Sequence, residues 1–296
     1  MSFPLTTPVY TLGTWEGNVT DDYGVDWIVE TEDGWSSSPP IRAQVEARSN
    51  ADGGWGGPGF YDSRVVTLSG HAIAPDRMTM LAAKDRIKSA ISPRSPVQLQ
   101  VAEAHLTRVA SVRLTDQIDL ADVNSFAFTW AFTLTAVDPR RYDANPVTVT
   151  ATLPVGLTAG RTYSRTHPVV YGGVTPGGGG SVYIQNDGDY DETPAVITFV
   201  GPLVTPRVEH PQSGRSLTFD VTLDYDDTLI VDLKAKTALL NGAVNQAYTI
   251  TAGSAWFMLT PGLNEFAFRG TAGTAPPDIT PTPVPQMTVT AASAWT

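Results

Sequence analysis

The sequence predicts a mainly β protein of two domains with a single α-helix, and three observations carry that prediction. Residues 125–137 alternate without a break. Phe126, Phe128, Trp130, Phe132 and Leu134 fall on one parity and Ala127, Thr129, Ala131, Thr133 and Thr135 on the other, the pattern of a strand with one bulky buried face. The second half repeats short apolar runs separated by turn signals, Asn241-Gly242 and Pro261-Gly262 among them. Between these regions Pro139, Asp143 and Pro146 interrupt pairing, so the boundary falls there and the domains are expected at 1–145 and 146–296.

In the first domain, strands are expected at 25–30 and 41–48, separated by a turn-rich link that ends at Pro40. The segment ADGGWGGPGFYD, 51–62, carries too much glycine for regular structure and leads into a strand at 64–71. The one helix follows. Pro75 suits its first turn, Asp76 complements the macrodipole there, and Met80, Ala83, Ile87, Ala90 and Ile91 share a face before Ser92-Pro93 ends it. Strands at 97–103 and 106–114 precede the aromatic strand, which serves as the spine of the domain.

In the second domain Leu217, Phe219, Val221 and Leu223 alternate with Thr218, Asp220, Thr222 and Asp224, marking a strand wet on one face. Another strand is expected at 229–234. Asn241-Gly242, both tolerant of positive φ, joins 237–240 to 244–250 as a hairpin. SAWFMLTPGLNEFAF, 254–268, reads as strand, rigid turn, strand, with Pro261 and Gly262 in the central positions of a type II turn. A glycine- and proline-rich long loop is expected at 153–181, an extended linker at 275–285, and a last strand at 287–295.

Composition excludes several functions. With no cysteine, the chain has neither disulfides nor thiolate metal sites nor a cysteine nucleophile. A formal charge of −11 and a pI near 4.7 oppose nucleic-acid binding by phosphate neutralisation. No apolar run reaches the roughly 18 residues of a membrane span, and the first residues lack the features of a signal peptide.

The sequence singles out no catalytic, cofactor-binding or metal-binding residue. Asp187, Asp189 and Asp191 have the spacing of a calcium loop, but Glu192 and Thr198 stand where the loop needs a glycine and a bidentate glutamate, so an acidic turn is expected. Asp224, Asp226 and Asp227 read as a solvated turn with at most a weak cation site. Gly177 to Gly180 precedes neither a lysine nor a helix and is no phosphate loop. His71, His105, His167 and His210 are scattered, against a metal cluster or a nucleophile triad. Asn18-Val19-Thr20 is a glycosylation sequon without a secretory context. The aromatics of the glycine-rich segment, Trp55, Phe60 and Tyr61, have three open readings: sugar stacking, anchors in a neighbouring subunit, or packing within the chain.

Phe257, Leu259, Pro261, Gly262 and Asn264 make the stretch 257–264 resemble the F-x-L-x-P-G-x-N signature of the distal tail proteins of long-tailed (siphovirus-type) bacteriophages. Asp138, Pro139 and Tyr142 match the usual end of that family's first domain. The stretch Pro194 to Pro202 with its Ile197 and Gly201-Pro202, Asp232 and the Asn-Gly hairpin follow in the family's order. The resemblance implies an N-terminal split β-barrel with one helix and a C-terminal galectin-like β-sandwich. It also implies a structural virion protein at the tail tip: a homo-hexameric ring between the tail tube protein and the hub or fibre proteins, the tape measure protein as a further neighbour, and a lumen that DNA only passes through. No enzyme activity and no cofactor are implied. A carbohydrate-binding module is the alternative and a hydrolase comes third. With Trp256, Phe257, Phe266 and Phe268 all assigned to strands, binding of cell-wall polysaccharide by the second domain is not expected.

Overall fold

A computed structural model describes residues 7–154, 180–274, 277 and 284–296. The chain forms two compact units, one of residues 1–145 with 294–296 and one of residues 146–293. The expected loop at 153–181 and linker at 275–285 lie mostly outside the described residues.

Among the described residues the first unit has one antiparallel sheet of eleven strands, a helix, and two short two-stranded ladders within residues 40–62. Val9–Leu12 pairs with Val97–Ala102, which pairs with Thr107–Leu114. The latter splits its partners, taking Arg141–Asp143 through Arg108 and Val109, and Ala127–Ala136 through Arg113 and Leu114. Ala127–Ala136 continues to Arg64–Ile73 and that to Asp26–Asp33. Closure falls at Asn18. Trp15–Gly17 pairs with Val9–Leu12, Val19–Thr20 pairs with Asp26–Asp33, and Asn18 joins the two short strands at φ 63°. Its N–H reaches the Trp27 carbonyl at 2.8 Å, its side-chain amide donates to Pro8 O at 2.8 Å, and its side-chain oxygen accepts from Val29 N at 2.9 Å. The sheet is thereby carried round into a split barrel, and the sequon asparagine is a buried structural residue.

Phe128, Trp130, Phe132 and Leu134 are buried as their parity predicts. Trp130 lies 5.1 Å from Trp15 and 5.4 Å from Phe132, centroid to centroid. Phe126 departs from the series and is half exposed, because the Asn124 side chain accepts from the N–H groups of Phe126 and Ala127 and starts the strand after the turn. Gly70 is required where Asp26–Asp33 bulges between Val29 and Thr31, since a Cβ there would stand 1.9 Å from the Ile28 carbonyl oxygen. The helix, Arg77–Ala90, buries Met80, Ala83 and Ile87. Asp76 is its N-cap, accepting from Thr79 N at 2.9 Å, and not a first-turn residue; Pro75 precedes the cap.

The second unit is a sandwich of two antiparallel sheets. One runs Val147–Thr152, Gln286–Ala291, Ala195–Val200, Thr228–Asp232, Thr237–Leu240, Val244–Asn245. The other runs Ser181–Asn186, Gly262–Ala272, Leu203–His210, Arg215–Thr218, with Thr222–Leu223 also on Leu203–His210. Phe199 of the first sheet meets Phe268 of the second at 5.8 Å, and Phe219, just beyond the strand Arg215–Thr218, at 6.2 Å. Asn241 and Gly242 both take positive φ, 51° and 71°, as their turn requires. The strand expected after them is short, Val244–Asn245, and gives way to a 3-10 turn at Ala247–Thr249.

Two further expectations are corrected. Residues 254–259 form no regular strand; Leu259 bridges to Thr193, and Ala255 N donates to the Ser216 carbonyl of Arg215–Thr218 at 2.9 Å. The final strand is two: Gln286–Ala291 belongs to the sandwich, whereas Ala294–Trp295 pairs with Arg141–Asp143, which returns residues 294–296 to the first unit.

Candidate interaction surfaces

Residues 40–62 form a β-arm. Ile41–Arg42 pairs with Phe60–Tyr61, and Val45–Ala47 with Gly54–Gly56. Between and beyond these ladders the hairpin is continued by Asp62 N to Pro40 O at 2.8 Å, Gly57 N to Gln44 O at 2.8 Å, and Arg48 N to Gly53 O at 3.1 Å. The glycine-rich half, expected to be irregular, is one side of this hairpin. Glycine removes side-chain packing but not the backbone groups that make a ladder.

The arm displays the three candidate aromatics. Trp55, Phe60 and Tyr61 are 67%, 58% and 40% exposed. Ile41 lies opposite Tyr61, and Val45 shares its face, while Phe60 and Trp55 stand opposite Arg42 and Glu46. The Arg48 guanidinium covers one side of Trp55 at 4.7 Å. Both faces of a two-stranded ribbon thus carry exposed apolar groups, and such a ribbon is at best marginally stable alone in water.

Two buried arginines hold the root of the arm. Arg64 Nη1 donates to the carbonyls of Gly34, Trp35 and Ser37 at 2.6, 3.1 and 2.6 Å, and its Nε to Pro139 O at 3.0 Å. Arg141 donates to Trp35 O at 2.7 Å and to the Thr296 carbonyl. Neither arginine was marked by the sequence. The motif residues nearby have a local purpose: the Tyr142 hydroxyl donates to Asp138 at 2.7 Å, and burial together with that carboxylate pushes the phenol pKa far above its ordinary value.

In the second unit the P-G-x-N motif is a clamp. Asn264, fully buried, accepts from Thr260 N at 3.0 Å and donates to the carbonyls of Thr260 and Gly262, both at 2.8 Å, with Gly262 at φ 93°. His210 Nε2 contacts the same side-chain oxygen at 3.1 Å, its Nδ1 meets Ser213 Oγ at 2.8 Å, and its ring stacks on Phe257 at 4.9 Å. Asn264 already donates both amide hydrogens, so Nε2 carries the proton. Burial lowers the His210 pKa, opposed by the Asn264 contact. The chain of hydroxyl, imidazole and amide has the order of a nucleophile triad. Ser213 Oγ, however, is held inside its own turn by the His210 carbonyl at 3.2 Å and Arg215 N at 3.3 Å, and the group fastens the turn to the sandwich. Asp232 likewise caps a turn, accepting from Lys234 N and Ala235 N at 2.8 and 2.9 Å. At the end of the stretch Pro194 to Pro202 a Cβ on Gly201 would stand 1.8 Å from the Asp224 carbonyl oxygen, and the Gly201–Pro202 bond is cis.

Among the described residues no three His, Asp or Glu side chains converge as a metal site. Asp227 accepts from Asp224 N at 2.9 Å and from the Asn241 amide at 2.8 Å, so it ties a turn to the hairpin. Asp187, Asp189 and Asp191 follow the strand Ser181–Asn186 in an exposed turn, and His71 pairs with Glu30 at 2.9 Å. His167 and Gly177 to Gly179 lie outside the described residues. A cleft of about 570 Å³ beside the helix is floored by Asp21, which accepts from Tyr23 N, Val25 N, the Trp27 indole and Arg86. Burial raises its pKa, but these bonds outweigh burial and hold it below the carboxylate range. Arg86 in turn covers Tyr23 at 4.1 Å. No described helix is long and apolar enough to cross a membrane.

A split barrel with one helix, followed by an antiparallel sandwich, defines a fold also seen in phage tail-tip proteins. The phage SPP1 Dit protein, described as a paradigm of the hub adsorption apparatus in phages infecting Gram-positive bacteria, superposes with a TM-score of 0.63 at 13% identity, over 98% of this chain and 100% of that one. A chain of the phage P2 baseplate in its activated conformation with Ca gives 0.54 at 11% identity, over 97% and 98%. Residues 187–281 match the family of the siphovirus-type tail component, C-terminal domain. No curated protein matches the chain in sequence. The resemblance to distal tail proteins is therefore borne out, by sequence in the second unit and by fold over nearly the whole chain.

Proposed function

We propose that this chain is a structural component of the tail tip of a long-tailed phage, six copies closing into a ring through the first unit. The ring joins the tail tube to the hub or fibre proteins, with the tape measure protein as a neighbour, and leaves a lumen for DNA. The observation that carries the reading is the arm at 40–62. A ribbon with apolar side chains on both faces needs a second surface to cover it, and Trp55, Phe60 and Tyr61 are the residue types that anchor interfaces. A heterologous contact of that kind closes into a ring when its rotation divides a full turn. The similarity to tail-hub and baseplate proteins supports the setting, and the galectin-like sandwich is then the outward part of each copy. A net charge of −11 suits a lumen through which DNA slides. The reading assigns no catalytic residue and no cofactor.

The test is negative-stain imaging of the purified full chain, alone and mixed with its tail tube protein, together with gold-labelled antibody on the virion. Six-fold rings and label at the distal end of the tail are expected. Label on the head, or rings of another symmetry, sinks the assignment.

A further inference from the structure

Trp256 is not in the strand expected of it: it packs against the sandwich core with Met258 yet keeps part of its surface exposed. This residue lies outside the regular strands, is only partly buried, and its indole N–H has no partner among the described residues. With Met258 it forms the apolar wall of a cleft of about 330 Å³, at the lower end of the range for small-ligand sites. Arg215, Lys236, Asp191 and Glu192 also line it, together with Ser213, Phe257 and Thr260. The Arg215 guanidinium gives one N–H to the Trp256 backbone carbonyl at 2.9 Å, which ties it to this stretch of the cleft wall. Arg215, Lys236 and Asp191 are all exposed, and no ion pair joins them to one another.

That combination is selective. A small cation would be repelled by Arg215 and Lys236, and a small anion by Asp191 and Glu192. A pyranose suits the arrangement: its C–H face lies on an indole, while its vicinal hydroxyls accept from guanidinium and ammonium and donate to carboxylates. We propose that this cleft is a saccharide-binding site, taking one neutral sugar ring of a surface glycan against Trp256. The site is independent of ring formation by the first unit.

The full chain should be titrated by calorimetry, into the millimolar range, with oligosaccharides of glucose, galactose, rhamnose and N-acetylglucosamine. Saturable binding of at least one is expected, weakened about tenfold or more by Trp256→Ala. Asp191→Asn with Lys236→Gln changes only exposed side chains, and should cause a similar loss while leaving the melting temperature unchanged. No saturation by any of the four, or binding that survives both variants, overturns the proposal.

Discussion

Arg64 and Arg141 donate to the same acceptor, the carbonyl oxygen of Trp35, at 3.1 and 2.7 Å. They come from strands that are not neighbours in the sheet, and the shared oxygen fixes the chain where it leaves the barrel for the arm.

Replacing Arg64 by methionine keeps most of the stem but leaves the carbonyls of Gly34, Trp35, Ser37 and Pro139 without its donors. A buried acceptor without a partner costs about 1–3 kcal/mol, so a loss of about 3 kcal/mol or more is expected in denaturant unfolding. A variant as stable as the parent means that these carbonyls find other donors.

Trp130 sits among Trp15, Trp27 and Phe132, and truncation to alanine is expected to cost about 3–5 kcal/mol. Its indole nitrogen is buried with no partner among the described residues. Trp130→Phe gives up that unpartnered N–H and part of the ring but keeps a phenyl group among the same neighbours, and should be milder. Equal losses for the two substitutions would mean that the phenyl ring recovers none of the packing.

Serine at Trp55, Phe60 and Tyr61 together should leave the melting temperature of the dissociated chain within a few degrees, because all three are exposed. In the proposed ring the same changes remove the anchors, and assembly measured by light scattering should be lost. Full assembly by the triple variant places the interface elsewhere.

His210 makes the second unit sensitive to acid. Its folded pKa lies below that of the unfolded chain, so the unfolded state takes up the proton more readily. The associated stability is complete above about pH 6.5 and drains away as the pH falls through that value toward the lower folded pKa. An NMR titration of the imidazole should give a midpoint below the ordinary histidine value. A midpoint at or above it contradicts the buried neutral ring held between Ser213 and Asn264.

Much of this architecture is legible in the residues, for identifiable reasons. The spine strand is read correctly because period-2 alternation of Phe128, Trp130, Phe132 and Leu134 leaves only one face to bury, and the Asn241-Gly242 turn because few residue pairs accept two positive φ values. The arm at 40–62 escapes because its ladder uses backbone groups that glycine masks in any propensity argument. Arg64 and Arg141 escape because what buries them, carbonyls at 34–37 and 139, is distant in sequence. Trp256 is misassigned because an apolar run cannot by itself separate a strand from a stretch lying across a sheet edge. The family motifs are recognisable as letters, yet only the folded chain gives Asp138, Asp232 and Asn264 their tasks as local clamps.

The return of Ala294–Trp295 to Arg141–Asp143 bears on the order of folding. Arg141 and the Thr296 carbonyl are 155 residues apart, so the first unit's own sheet is completed by residues that are synthesised after the whole sandwich. During translation the edge at Arg141–Asp143 waits open, while the whole sandwich is made and can fold on its own contacts. The first unit, though begun earlier, then finishes second. A nascent chain halted before residue 294 holds a finished sandwich beside a sheet that still lacks its final edge.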